Sequence, residues 1–94
     1  MTRRVSVIGA GTIGASWAAY FLARGFEVGA YDPLPNGEAF ARRFIDNAWP
    51  TLEKLGTVQP GADRAHFTFF NNPADAARGA DFVQESGPER EDTK

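Results

Sequence analysis

Val5-Ser6-Val7-Ile8-Gly9-Ala10-Gly11-Thr12-Ile13-Gly14 is the stretch that decides the fold. Its first four residues are a short, mostly β-branched apolar run, the composition of a buried strand. Three glycines follow in the spacing Gly-x-Gly-x-x-Gly. An alanine- and aromatic-rich segment then runs to Arg24, Gly25 interrupts it, and a second short apolar run over residues 28–31 ends at Asp32. The order is strand, glycine turn, helix, strand, acid. It is the pattern of a βαβ unit that binds a dinucleotide.

Each position in the pattern has a physical task. Gly9 lets the chain turn sharply out of the strand. Gly11 has no side chain, so a pyrophosphate can approach the backbone. Gly14 lets the new helix pack close to the strand. The N–H groups at Thr12 and Ile13, with Ala10 in the turn before them, face the phosphates, where the helix dipole favours negative charge. Asp32 stands at the end of the second strand, where a carboxylate can accept from both ribose hydroxyls of adenosine. The same charge repels a 2′-phosphate, and Pro33 supplies no cation beside it, so the pattern favours NAD over NADP. FAD-binding domains share the glycines but usually carry Glu at the strand end. A glycine turn serving only as a turn is the plain alternative.

Working outward, the first strand is expected over residues 4–8 and the first helix over 12–24, closed by Gly25. In that helix Ile13, Trp17, Tyr20 and Phe21 fall at helical spacing, and Ala15, Ala18 and Ala19 keep it thin enough to press on a sheet. The second strand is expected over 27–31. Prolines and a glycine make 32–37 a loop. A second helix follows over 38–55, with Phe40, Phe44, Ala48, Leu52 and Leu55 as its apolar stripe and Arg42, Arg43, Glu53 and Lys54 on its solvated face. Pro50 lies inside it and predicts a kink or a break. Residues 66–70 read as a third strand, 74–78 as a short helix and 81–84 as a fourth strand. The sum is an α/β fold with a Rossmann-type parallel sheet in the order 3-2-1-4 and right-handed crossovers.

The chain has 94 residues and a net charge of −2. A complete doubly wound dinucleotide fold has about six strands, and this length holds about four, so residues 1–94 read as the N-terminal part of such a domain. There is no basic patch, which argues against nucleic acid and anionic membrane as partners. There are no cysteines, which excludes disulfides and thiolate metal sites; no metal is expected. No segment has the apolar length of a transmembrane helix. Met1-Thr2-Arg3-Arg4 precedes an apolar run too short for a signal peptide, so the start reads as cytoplasmic.

With the glycine motif and Asp32 in place, further segments carry a family likeness. They are residues 9–17, Asn47-Ala48-Trp49-Pro50 with Leu52, Pro60-Gly61-Ala62, and Asp81-Phe82-Val83-Gln84-Glu85-Ser86 with Pro88-Glu89-Arg90. The chain resembles the N-terminal NAD-binding domain of the 3-hydroxyacyl-CoA dehydrogenase superfamily, and within it the L-carnitine 3-dehydrogenases, over essentially its whole length. The resemblance implies NAD as cofactor, a small 3-hydroxy acid as substrate, and a homodimer formed through a later helical domain. It implies that a glutamate and a lysine after the fourth strand reach the nicotinamide side, and the pattern puts them at Glu89 and Lys94. Read without the family, both are solvated surface charges. Gly87 and Thr93 depart from the family's usual Ala and larger aliphatic residue. The family's catalytic His, in a Gly-His-Pro-Phe-Asn-Pro segment, and its partner Glu are not among these 94 residues. No catalytic residue is therefore assigned here, and His66 reads as a strand-edge residue. Two functions stay open: the cofactor part of a dehydrogenase acting on the 3-hydroxyl, or a stand-alone NAD(H)-sensing module.

Overall fold

The computed structural model describes residues 3–9 and 11–85. Strands β1 (Arg4–Ile8), β2 (Glu27–Tyr31), β3 (Phe67–Phe69) and β4 (Phe82–Glu85) alternate with helices α1 (Thr12–Ala23), α2 (Gly37–Lys54) and α3 (Pro73–Ala77), with a 3-10 turn at Arg64–His66 before β3. The strands are all parallel, in the order β3-β2-β1-β4. Val5 pairs with Val28 and Phe82, and Val28 pairs with Phe67. This is the Rossmann-type order read from the sequence. The later elements differ from expectation by a residue at their ends, and His66 closes the 3-10 turn instead of opening β3.

Alternation along β1 divides the molecule into layers. Val7 points to α1, and a Cβ on Gly14 would lie 3.4 Å from Val7 Cγ1. Ser6 points the other way, and its buried hydroxyl donates to the Ala76 carbonyl of α3. Beside Ser6 in the sheet is Gly29, where a Cβ would meet the Phe70 ring at 2.9 Å and the Ala76 carbonyl at 3.2 Å. Small residues on this face let α3 sit close. Asn72 caps α3 by accepting from Asp75 N–H at 2.8 Å.

The packing phase of α1 differs from the aromatic stripe. Gly14, Ala15, Ala18, Ala19, Leu22 and Ala23 are buried, while Ile13, Trp17 and Tyr20 are 62%, 39% and 43% exposed. The cause is the close seat of the first turns of the helix on β1, where Gly14, Ala15, Ala18 and Ala19 leave room for little more than a methyl, while Leu22 fills the space farther along. The large rings lie along the flank instead, with Trp17 stacked on Phe21 at 5.5 Å and Phe21 edge-on to Phe82 at 6.3 Å. The helix ends in a Schellman motif: Phe26 N–H donates to Phe21 O, Gly25 N–H donates to Leu22 O, and Gly25 takes a φ of 94°.

The stripe of α2 is also displaced, by one residue. The buried row is Gly37, Ala41, Ile45 and Trp49. Phe44, Ala48 and Leu52 pack beside it, and Phe40 and Leu55 are exposed. One residue is about 100° around a helix, enough to make the expected centre a flank. Nor does Pro50 break the helix, which runs through it to Lys54. Pro50 lies on the exposed side, and buried Trp49 and Ile45 hold the segments before it against the core. Arg64 ties the following connection to α2, with its guanidinium 3.0 Å from Asp46 and over the Trp49 ring.

Candidate functional site

The parallel sheet brings the C-terminal ends of β1 and β2 together, and the glycine turn and Asp32 with them. Gly9 leaves β1 with a φ of 92°, a left-handed conformation that side chains resist. Its N–H donates to Tyr31 O at 2.6 Å, tying the turn to the end of β2. Gly11 is the N-cap of α1 with a φ of −63°, and its carbonyl accepts from Ala15 N–H at 2.7 Å. A Cβ on Gly11 would meet nothing within 4 Å. A Cβ on Gly14 would lie 1.7 Å from the Gly9 carbonyl oxygen. The two glycines thus differ in kind: one faces open space, and the other lies in backbone contact.

Thr12 and Ile13 form the exposed first turn of α1. The first N–H groups of a helix have no intrahelical acceptor and carry the positive end of its dipole. They can receive an anion that approaches over Gly11.

Asp32 is 8% exposed. Its Oδ1 accepts from Leu34 N–H at 2.8 Å, an Asx turn that orients the carboxylate. Gly11 and Asp32 line one open cavity of about 320 Å³ together with Leu34, Pro35, Asn36, Gly37 and Phe40. The cavity has an anionic end at Asp32 and apolar walls at Leu34 and Phe40. A nucleoside needs such a combination: an acceptor for its sugar hydroxyls and a flat apolar seat for its base. The open approach over Gly11 and the helix terminus beyond it fit a pyrophosphate. Sequence reasoning missed Leu34, Gly37 and Phe40. Phe40 was absorbed into the core stripe and Gly37 into the loop. The available signal was a glycine five residues after the acid, at the start of a helix.

The structure therefore groups Gly9, Gly11, Thr12, Ile13, Gly14 and Asp32. Ala10, Glu89 and Lys94 lie outside the described residues. His66 lies at the opposite end of the sheet, lining a separate cavity with Arg4, Glu27 and Phe70. Among the described residues no set of three His, Cys, Asp or Glu side chains is placed to hold a metal, and no helix is long and apolar enough to cross a membrane.

Residues 4–94 match the family described as 3-hydroxyacyl-CoA dehydrogenase, NAD binding domain. Over 92 residues the chain is 49% identical to an L-carnitine dehydrogenase of Streptomyces coelicolor, covering 98% of this chain and 29% of that protein. It is 48% identical to an L-carnitine dehydrogenase of Nocardiopsis dassonvillei, covering 98% and 28%. Among solved structures, an NAD+-dependent dismutase, 5-formyl-3-hydroxy-2-methylpyridine 4-carboxylic acid 5-dehydrogenase, superposes with a TM-score of 0.79 at 34% identity, covering 95% of this chain and 29% of that one. The chain thus spans less than a third of the length of these relatives.

Proposed function

Because the chain belongs to the 3-hydroxyacyl-CoA dehydrogenase family through its NAD-binding domain, we propose that it is the cofactor-binding part of an NAD-dependent dehydrogenase that oxidises the 3-hydroxyl of a 3-hydroxy acid, L-carnitine to 3-dehydrocarnitine. The observation that carries this reading is the 49% identity to an L-carnitine dehydrogenase over 98% of the chain. Bound NAD would accept the hydride from C3, and the hydroxyl proton would pass to a base outside these 94 residues.

The residues of this chain then bind and orient. Thr12 and Ile13 N–H groups hold the pyrophosphate, which Gly9, Ala10 and Gly11 allow to approach. Gly14 seats the helix that presents those groups. Asp32 accepts the adenosine ribose hydroxyls and repels a 2′-phosphate. Its burial supports this assignment, because a carboxylate away from water discriminates strongly between a hydroxyl donor and a second anion. By the family pattern Glu89 and Lys94 serve the nicotinamide side. The whole protein acts in the cytoplasm as a homodimer through its later region.

The test is formation of the reduced cofactor by the full-length protein with L-carnitine and, separately, with 3-hydroxybutyryl-CoA, each with NAD and with NADP. NADH formation with L-carnitine is expected. Turnover of the acyl-CoA alone would keep the reaction class and overturn the substrate. NAD binding without turnover of either would replace the enzyme by a binding module.

A further inference from the structure

Gly37 opens α2 and is buried. A Cβ there would lie 2.7 Å from Asp32 Cβ, 3.1 Å from Cγ and 3.3 Å from Oδ1. Contacts under 3.0 Å require something to move, and Asp32 Cβ is fixed by the main chain at the end of β2. Gly37 is not among the glycines with positive φ, so backbone conformation does not call for glycine. Within a helix alanine is ordinarily the better residue. What remains to explain the glycine is the approach of α2 to Asp32.

We infer that Gly37 is a positioning residue: its missing side chain lets α2 start against the side chain of Asp32 and so sets the carboxylate for the adenosine ribose. This rests on the reading of Asp32 as the ribose acceptor. Leu34 and Gly37 both constrain that side chain. Leu34 N–H engages Oδ1 at 2.8 Å, and the bare backbone of Gly37 lies against Cβ and Cγ. A methyl group at position 37 must push the first turn of α2 outward to clear Asp32 Cβ, and its contacts with Cγ and Oδ1 press on the carboxylate as well. The movement of the helix carries Asn36 and Phe40, which line the same cavity as Asp32. The carboxylate and the nucleoside seat then lose their register. Gly37 thus governs both the affinity for NAD and the preference over NADP through its contact with Asp32.

The experiment compares Gly37→Ala with wild type in the full-length protein, by calorimetric titration of NAD, NADP and NAD lacking the adenosine 2′-hydroxyl. In wild type, removing the 2′-hydroxyl should weaken binding by about tenfold or more. In Gly37→Ala, NAD itself should bind about tenfold more weakly, the deoxy analogue should lose little further, and the NAD-to-NADP ratio should shrink. A general loosening of the domain would weaken all three ligands in proportion and leave the ratios unchanged, which overturns the inference. Equal binding of NAD and the deoxy analogue by wild type would instead overturn the reading of Asp32. If Gly37→Ala does not fold, the Asp32→Gly/Gly37→Ala variant decides, because it removes the Cβ that the new methyl meets. It should melt close to Asp32→Gly alone; an unfolded double variant beside a folded Asp32→Gly would show that the clash lies elsewhere and sink the proposal.

Discussion

Replacing Gly14 by alanine should unseat α1, and the size of the effect follows from the geometry. The new Cβ would lie 1.7 Å from the Gly9 carbonyl oxygen and 2.7 Å from its carbon. To restore ordinary contact the start of α1 must lift by roughly 1.5 Å or more. Neither neighbour can swing aside, because both are backbone atoms of a residue whose N–H is bonded to Tyr31 O. Lifting the helix separates Ala15 and Ala18, both buried, from the sheet. Overpacking of this kind costs about 1–3 kcal/mol, and the rigid contact puts Gly14→Ala at the upper end. Alanine recovers up to about 1 kcal/mol through helix propensity. The net is a loss of about 2 kcal/mol, or about 8–16 °C in melting temperature for a domain of this size.

Gly11 is the control within the same motif. It has open space around its missing Cβ and a φ any residue adopts. Gly11→Val should cost the fold less than about 1 kcal/mol, through the weaker N-cap, yet abolish NAD binding by filling the approach to the helix terminus. Circular dichroism melts and calorimetric titration with NAD on both variants test the pair. A Gly14→Ala protein melting within about 2 °C of wild type, or a Gly11→Val protein that still binds NAD, would refute the reasoning.

Asp32→Ala should weaken NAD binding by about 1.5–3 kcal/mol, the worth of a hydrogen bond to a charged group, and narrow the gap to NADP; titration of both cofactors checks it, and equal affinities in wild type would contradict the assignment. The 94-residue chain by itself should self-associate, because Phe82 and Val83 on the edge strand β4 are 52% and 41% exposed and an open edge invites pairing. Light scattering should show Phe82→Lys reducing that association, and a monodisperse wild-type chain melting as high as the full-length protein would overturn the expectation.

The parts legible in the sequence are those that local sterics determine. A glycine at position 9 is needed wherever a strand must leave through positive φ, and one at position 14 wherever the next helix returns against that turn. Both are settled within ten residues, and so the strand–turn–helix unit could be read. Strand order followed because right-handed crossovers leave few alternatives. The packing phase of the helices was not legible in the same way. Periodicity says which residues share a face, but not which face meets the core. Large aromatics drew the reading of α2 toward Phe40 and Phe44, whereas its buried row runs through Gly37, Ala41, Ile45 and Trp49; in α1 the alanines expected against the sheet are buried there, at a gap set by the contact between Gly14 and Gly9. The contact that seats Ser6 under α3 lies 70 residues along the chain, beyond any local pattern.

The same asymmetry explains why half of the cavity went unread. Asp32 announces itself as an acid at a strand end, but its surroundings consist of what is missing. Gly37 contributes no side chain, and the effect of that absence depends on how far α2 advances over the end of β2. Gly14 and Gly37 therefore belong to one physical class: each lets a helix begin in contact with the end of a strand, one beside the glycine turn proposed for the pyrophosphate and one beside the carboxylate proposed for the ribose. In both places a methyl group would change the fold and the cavity together, so these glycines couple stability to the ligand seat. Gly11, in open space, does not. If that division is right, substitutions at Gly14 and Gly37 will lower melting temperature and NAD affinity in step, whereas substitutions at Gly11 will separate the two.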